Sequence, residues 1–281
     1  MHASSPGSNA VAYLGPEGTF AHAVAQNRFG TQATLIPCAS IEAVFDQVLA
    51  NAAGSGIVPL ENSSGGWIYD TVDLLIQNAP RINIRQELTL DVKLALVGRS
   101  GQPIKSVYSH FAPLKHNANW LAAHYPQARA VPCASTARAA QMAKEDPQGA
   151  ALTSRQAGAI YGLEVLEYPI DPNEVNVTSF VEITRSGKNS ELGQKLGLVI
   201  RIKNEPSSLV NLLLPFAQAK MNLTRIISRP IQGEPSAYHF LLEVEVREDD
   251  SRLEGVLAEA KKHTNSLVSL GNYAVKSRIQ A

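Results

Sequence analysis

The chain is poor in every feature that would tie it to a membrane, a nucleic acid or a metal. No window holds 18 consecutive apolar residues, so no transmembrane helix is expected. Basic and acidic residues balance at 25 each, with no Lys/Arg cluster, which argues against nucleic acid as a partner. Cysteine is scarce. Cys38 and Cys133 are too few for a disulfide framework or a cysteine metal cage, and free thiols in a reducing cytoplasm are the simpler reading. Seven histidines show no His-x-x-x-His or His-Glu-x-x-His spacing, so no metal is expected. The opening MHASSPGSNA has neither a basic nor an apolar leader segment and reads as a short disordered lead, not a signal peptide; a cytoplasmic location is expected. There is no Gly-x-Ser-x-Gly elbow, no Gly-x-Gly-x-x-Gly fingerprint and no P-loop.

What remains is an ordinary globular composition, 44% hydrophobic and 18% charged over 281 residues, enough for two domains or three lobes. Strand and helix signals alternate from residue 10 onward: strand 10–14, a GPEGT loop, a helix stopped by Gly30, strand 33–37, then a helix capped by Ser40. Strand 56–61 opens into NSSGG and a helix from about Tyr69 to Asn78, and 87–98 reads as strands crossing into a second lobe. The tetrad PCAS occurs twice, at 37–40 and 132–135, each time between a strand and a helix, which suggests similar lobes. Such a pattern predicts an α/β fold with mostly parallel pairing and a cleft between lobes, with ligands beyond the carboxyl ends of strands. The polar stretch 186–194 reads as a linker. The order after it is strand, helix, strand, strand, helix, strand: a ferredoxin-like block of about 85 residues, plausible as an independent domain.

Several loops could carry chemistry. NSSGG offers Asn62, Ser63, Ser64 and Gly65 ahead of a helix, either as a cradle for an anion or as a cap and turn. Glu61 stands beside it at a strand end, facing a cleft or solvent. Thr19 in GPEGT reads as an N-cap, and His110 lies just beyond the strand VYSH. In VNVTSF at 175–180, Asn176, Thr178 and Ser179 cluster polar groups before an apolar run.

GPEGTF (15–20), VPLENSSGGWIYDTVDLL (58–75), SH (109–110), STARAA (135–140), AGAIYGLEVL (157–166) and NVTSF (176–180) occur in the order seen in prephenate dehydratases, which the chain resembles from about 10 to 275. EPSSLV (205–210) and NLTRIISRP (222–230) resemble the regulatory ACT domain of that family. The resemblance implies a two-lobed, periplasmic-binding-protein-like catalytic domain over 10–185, with lobe one at about 10–88 and 163–185 and lobe two at about 89–162. An ACT domain over 195–281 follows, pairing chains into a homodimer or homotetramer. It implies a lyase of aromatic amino acid biosynthesis, converting prephenate to phenylpyruvate, water and carbon dioxide without a cofactor. Thr178 would assist the leaving hydroxyl, with Asn176 and Ser179 beside it. Glu61, Asn62, Ser63, Ser64, Gly65, Thr19 and His110 would meet the carboxylate substrate. Ser207, Ser208, Leu209, Ser228 and Arg229 would form the site for a phenylalanine effector.

Four positions depart from the family pattern. Ser179 stands where the family carries arginine, and Phe111-Ala112 where it carries Pro-Gln. Ser207-Ser208 replaces Gly-Ala, and Ile227 replaces the glutamate of Glu-Ser-Arg-Pro. An uncharged hydroxyl does not replace a guanidinium fork, and a side chain at 207 opposes a positive φ. These departures keep two other readings open: a relative that acts differently on prephenate or a similar cyclic carboxylate, and a non-catalytic carboxylate sensor.

Overall fold

The computed structural model describes residues 9–173, 175–187, 193–247 and 250–280; the lead at 1–8 and most of the linker lie outside them. The chain begins with β1 (Ala10–Leu14), α1 (Phe20–Phe29), β2 (Thr34–Cys38), α2 (Ile41–Leu49), β3 (Ser55–Asn62), β4 (Gly66–Trp67), α3 (Tyr69–Asn78) and β5 (Ile82–Asp91). A second run follows: β6 (Ala95–Gly98), β7 (Ser106–Ser109), α4 (Phe111–His116), α5 (Ala118–His124), β8 (Arg129–Pro132), α6 (Thr136–Glu145), β9 (Gly149–Thr153), α7 (Arg155–Tyr161) and β10 (Glu164–Glu167). β11 (Val177–Arg185) returns to the first sheet. The C-terminal block comprises β12 (Lys195–Ile202), α8 (Ser208–Gln218), β13 (Leu223–Pro230), β14 (Tyr238–Glu245), α9 (Leu253–Lys261) and β15 (Thr264–Val275), with a short β16 (Ile279–Gln280).

Local sequence accounts for the helices that frame the site. Thr19 caps α1 by accepting from the His22 amide, and Gly30 ends that helix at φ 64°. Ser40 caps α2 in the same way, and Ile41, Val44, Phe45 and Val48 then fall on one buried face. Its counterpart after the second PCAS, α6, is capped by Ser135 but buries only Ala137, Ala139, Ala140 and Ala143. The two PCAS segments thus share their turn chemistry and differ in their packing.

Residues 10–185 form two sheets, as the alternating pattern predicts. Five strands run β10-β6-β9-β7-β8, and β2, β1, β3, β11 and β5 form the first sheet, with β4 on β3. Pairing is mixed where mostly parallel pairing was expected: β11 enters antiparallel to both β3 and β5, because it comes back from the second lobe. The return is also later than residue 163. β10 pairs with β6, and Leu163 packs in the second lobe, so the crossing falls between 167 and 177.

The C-terminal block has the element order βαββαβ and the strand order β13-β14-β12-β15. It is not set apart from the rest. β15 pairs in parallel with β5 through Ala274↔Gln86 and Val275↔Glu87, so its sheet continues into the first one. Its two faces bury different partners. One holds α8 and α9 through Leu212, Phe216, Val256 and Ala260. Val199, Ile227, Leu241, Leu270 and Tyr273 on the other join one core with Val44 and Phe45 of α2 and Val72 and Leu75 of α3. Each such side chain contributes about 1.5–3 kcal/mol by leaving water, which makes the junction structural and not a loose contact.

Candidate active site

β3 and β11 run antiparallel with Asn62 opposite Thr178 and Glu61 opposite Ser179. Successive residues of a strand point to opposite faces, so these two rungs present their side chains on opposite sides of the sheet.

On the first rung the amide orientation of Asn62 is fixed. Its Oδ1 accepts the Ser64 and Gly65 amides at 3.0 and 2.8 Å, and backbone N–H groups only donate. Its Nδ2 therefore faces across the ladder, donating to Asn176 Oδ1 at 2.8 Å and Thr178 Oγ1 at 2.9 Å. Thr178 is buried, and since its oxygen accepts, its own hydroxyl proton stays available for another acceptor. Ser63 locks the two segments together. Its amide donates to Val177 O at 2.8 Å, and its hydroxyl accepts the Val177 amide at 2.9 Å. Sequence reasoning had the NSSGG amides as an anion cradle or the serines as a helix cap. The helix cap is not found, since α3 starts after Ile68 with no side-chain cap, and the Ser64 and Gly65 amides are turned onto Asn62 Oδ1.

The second rung is ionic. Ser179 Oγ donates to Glu87 Oε1 at 2.5 Å and accepts from Arg225 Nη2 at 3.3 Å. Arg225, on β13, also pairs with Glu87 and Glu243 and reaches Glu61 Oε2 at 3.4 Å. Lys195 Nζ bridges Glu87 and Glu243 at 2.6 and 2.8 Å, and Tyr273 donates to Glu243 at 2.5 Å. Glu87 and Glu243 are almost fully buried. Burial by itself would raise the Glu87 carboxyl, but the hydrogen bonds and charge of Arg225, with Lys195 and Ser179, hold it down at about 2. Burial alone would lower the Arg225 guanidinium, but Glu87, then Glu243 and Tyr273, push it up, and burial followed by Glu243 pushes the Tyr273 hydroxyl well up. Ser179 thus looks toward the C-terminal block, not toward the face that carries Thr178. Glu87 was not among the residues expected from sequence, although a carboxylate in the half-apolar strand ELTLDV signals a buried partner of opposite charge.

The remaining candidates are spread. Thr19 donates its hydroxyl to Leu14 O at 2.8 Å as well as capping α1, so its donor is used inside the loop. That loop is shaped by His22, which sequence reasoning passed over. Its Nδ1 accepts the Gly18 amide at 3.0 Å, its ring stacks on Tyr13, and burial lowers its pKa. The loop seats on the second lobe. Ser154 and Tyr161 donate to Gly18 O and Glu17 O at 3.1 and 2.8 Å, and a Cβ on Gly18 would lie 3.0 Å from Ala157. His110 precedes α4 in the second lobe without capping it, packs on Phe111, and is lowered by burial.

In the C-terminal block a cavity of about 470 Å³ is lined by Ser207, Ser208 and Leu209 together with Asn204, Glu205 and Tyr238. Ser207 holds φ 65° there and makes no side-chain cap, so the left-handed turn is kept with a side chain in place. Ser228 and Arg229 do not line this cavity. Arg229 forks onto Asp73 instead, at 2.6 and 2.7 Å, and Ile227 belongs to the shared core. The change at 227 is therefore a packing feature of the junction. Among the described residues no group of His, Cys, Asp and Glu is placed to hold a metal.

The fold is a two-lobed α/β unit with the Asn62–Thr178 rung where β3 meets β11, and it carries a βαββαβ block. Residues 11–188 match the family model described as prephenate dehydratase. The chain is 32% identical over 265 residues to a bifunctional chorismate mutase/prephenate dehydratase of Aquifex aeolicus, covering 94% of this chain and 73% of the relative. It is 32% identical to the prephenate dehydratase of Methanocaldococcus jannaschii, covering 95% and 99% of the two chains. A solved prephenate dehydratase from Arthrobacter aurescens, in complex with L-Phe, superposes with a TM-score of 0.86 at 31% identity, covering 94% of this chain and 90% of that one. The chain belongs to the prephenate dehydratase family.

Proposed function

We propose that this chain is a lyase that converts prephenate to phenylpyruvate, carbon dioxide and water. The observation that carries the reading is the Asn62–Thr178 rung, a hydroxyl held with its proton free, in a chain of this family. In the reaction the bond from the ring to its carboxylate breaks and carbon dioxide leaves. The electron pair enters the ring, and the 4-hydroxyl departs with a proton as water. Thr178 Oγ–H hydrogen-bonds the departing oxygen, and Asn62 and Asn176 orient Thr178. The Ser64 hydroxyl and His110 meet the anionic substrate, Asn62 orders the Ser64 and Gly65 amides, and Ser63 ties the loop to Val177; Glu61, Thr19 and Ser179 serve structure. Aromatisation drives the step and no cofactor is required. Purified protein mixed with prephenate should release carbon dioxide and phenylpyruvate together. Carbon dioxide alone would mean a different reaction, and neither product a sensor.

The block over 195–281 acts as an ACT-type domain following the catalytic domain of 10–185. It pairs chains into a dimer or tetramer, supported by the half-exposed Ile226 on its edge strand and Val210 and Leu214 on α8. No helix among the described residues is long and apolar enough to cross a membrane, and the balanced charge and free thiols fit a cytoplasmic enzyme. Response to phenylalanine is lost, because Ser207 fills a turn that favours glycine and Arg229 is held by Asp73. Calorimetry with millimolar phenylalanine should show no binding; a clear isotherm with inhibition would overturn this.

A further inference from the structure

The NSSGG loop is gripped at both ends by one strand of the C-terminal block. β13 turns Arg225, Ile227 and Arg229 toward the catalytic unit, every second residue, with Ile227 buried between the two arginines. Arg225 reaches Glu61, the residue before the loop, at 3.4 Å, and its guanidinium lies 5.9 Å from the ring centre of Trp67, just after the loop. Arg229 lies 4.5 Å from the ring centre of Tyr69 and forks onto Asp73 on α3. Two arginines four residues apart on a strand are about 13 Å apart, so a rigid strand fixes two separate points.

We propose that Arg225 and Arg229 are positioning residues: a clasp through which β13 sets the NSSGG loop and hence the orientation of Asn62 toward Thr178. The two grips differ in strength. Arg225 is 11% exposed among carboxylates that are 4% exposed, so it is firmly held. Arg229 and Asp73 are 29% and 36% exposed, and such a pair contributes little to stability, so its fork aligns more than it stabilises. The turnover prediction rests on the proposed function; the position of the loop does not.

The test uses the full chain with Trp120→Phe, which leaves Trp67 as the only tryptophan. Arg229→Gln and Asp73→Asn should each raise iodide quenching of Trp67 fluorescence and lower kcat on prephenate by about tenfold, with KM little changed. Arg229→Lys should fall between, since it keeps the charge and loses the fork. The double variant should be no worse than either single one, because both remove the same contact. Arg201→Gln, which removes an exposed pair with Glu234 elsewhere in the block, should change neither readout. Unchanged Trp67 quenching in Arg229→Gln overturns the clasp, as do additive losses in the double variant or an equal loss in Arg201→Gln. If the unaltered chain does not turn over prephenate, the proposed function has failed, and Trp67 quenching alone decides the clasp.

Discussion

Two adjacent rungs of one ladder, Asn62–Thr178 and Glu61–Ser179, separate two kinds of work. The first is neutral and local: Asn62 is bound by Ser64, Gly65, Asn176 and Thr178, within the two segments that cross there. The second is ionic and gathers its partners from β5, β12, β13 and β14. A strand bonded on both edges presents the proposed catalytic hydroxyl on one face and an ionic anchorage on the other, one residue apart. The serine at 179 therefore alters the anchorage, and its missing guanidinium does not strip a contact from the face of Thr178.

The comparison breaks first at Thr178. Thr178→Ala should lower kcat by about 10²–10⁴, the span of a positioned proton donor, while the unfolding midpoint and KM barely move. Unchanged turnover would make both rungs structural. The second rung should respond in stability and in its dependence on pH. The folded carboxyl of Glu87 lies at about 2, below the ordinary 4.5, so its contribution is present above pH 4.5 and is lost as pH falls toward 2. That contribution is on the order of 3 kcal/mol. Urea unfolding of Glu87→Gln should show a loss of that order at neutral pH and a flatter acid limb, whereas a profile parallel to the unaltered protein would show that Glu87 is not the anchor. The smallest effect belongs to Ser179→Ala, about 2 kcal/mol of stability for a hydroxyl bonded to the charged Glu87 and Arg225, with kcat and KM unchanged. A large rise in KM would return position 179 to the substrate.

Local chemistry was legible in the sequence and long-range pairing was not. Thr19 and Ser40 cap their helices as their hydroxyls before helical runs suggest, and the βαββαβ order follows from the alternating runs. The segments around Asn62 and Thr178 were recognisable as motifs, and the structure brings them into hydrogen-bond contact. What periodicity leaves out is the partner. Strand 164–167 gave no sign of which sheet it joins, and Ser179 could be assigned a face only once its register with Glu61 was known. The meeting of Arg225 with Glu87 spans 138 residues, and nothing local to either announces it beyond a charge set among apolar neighbours.

The continuity of the first sheet into the C-terminal block also sets an order of events during synthesis. β5 is completed at Asp91, but its second neighbour, β15, begins only at Thr264. At about 5–20 residues per second the ribosome takes roughly 10–35 s to make the intervening stretch. Through that interval β5 offers an open row of backbone donors and acceptors. A nascent or truncated chain that lacks the last strands is thus the form most exposed to pairing with its own copies, and the late arrival of residues 274–280 closes that edge.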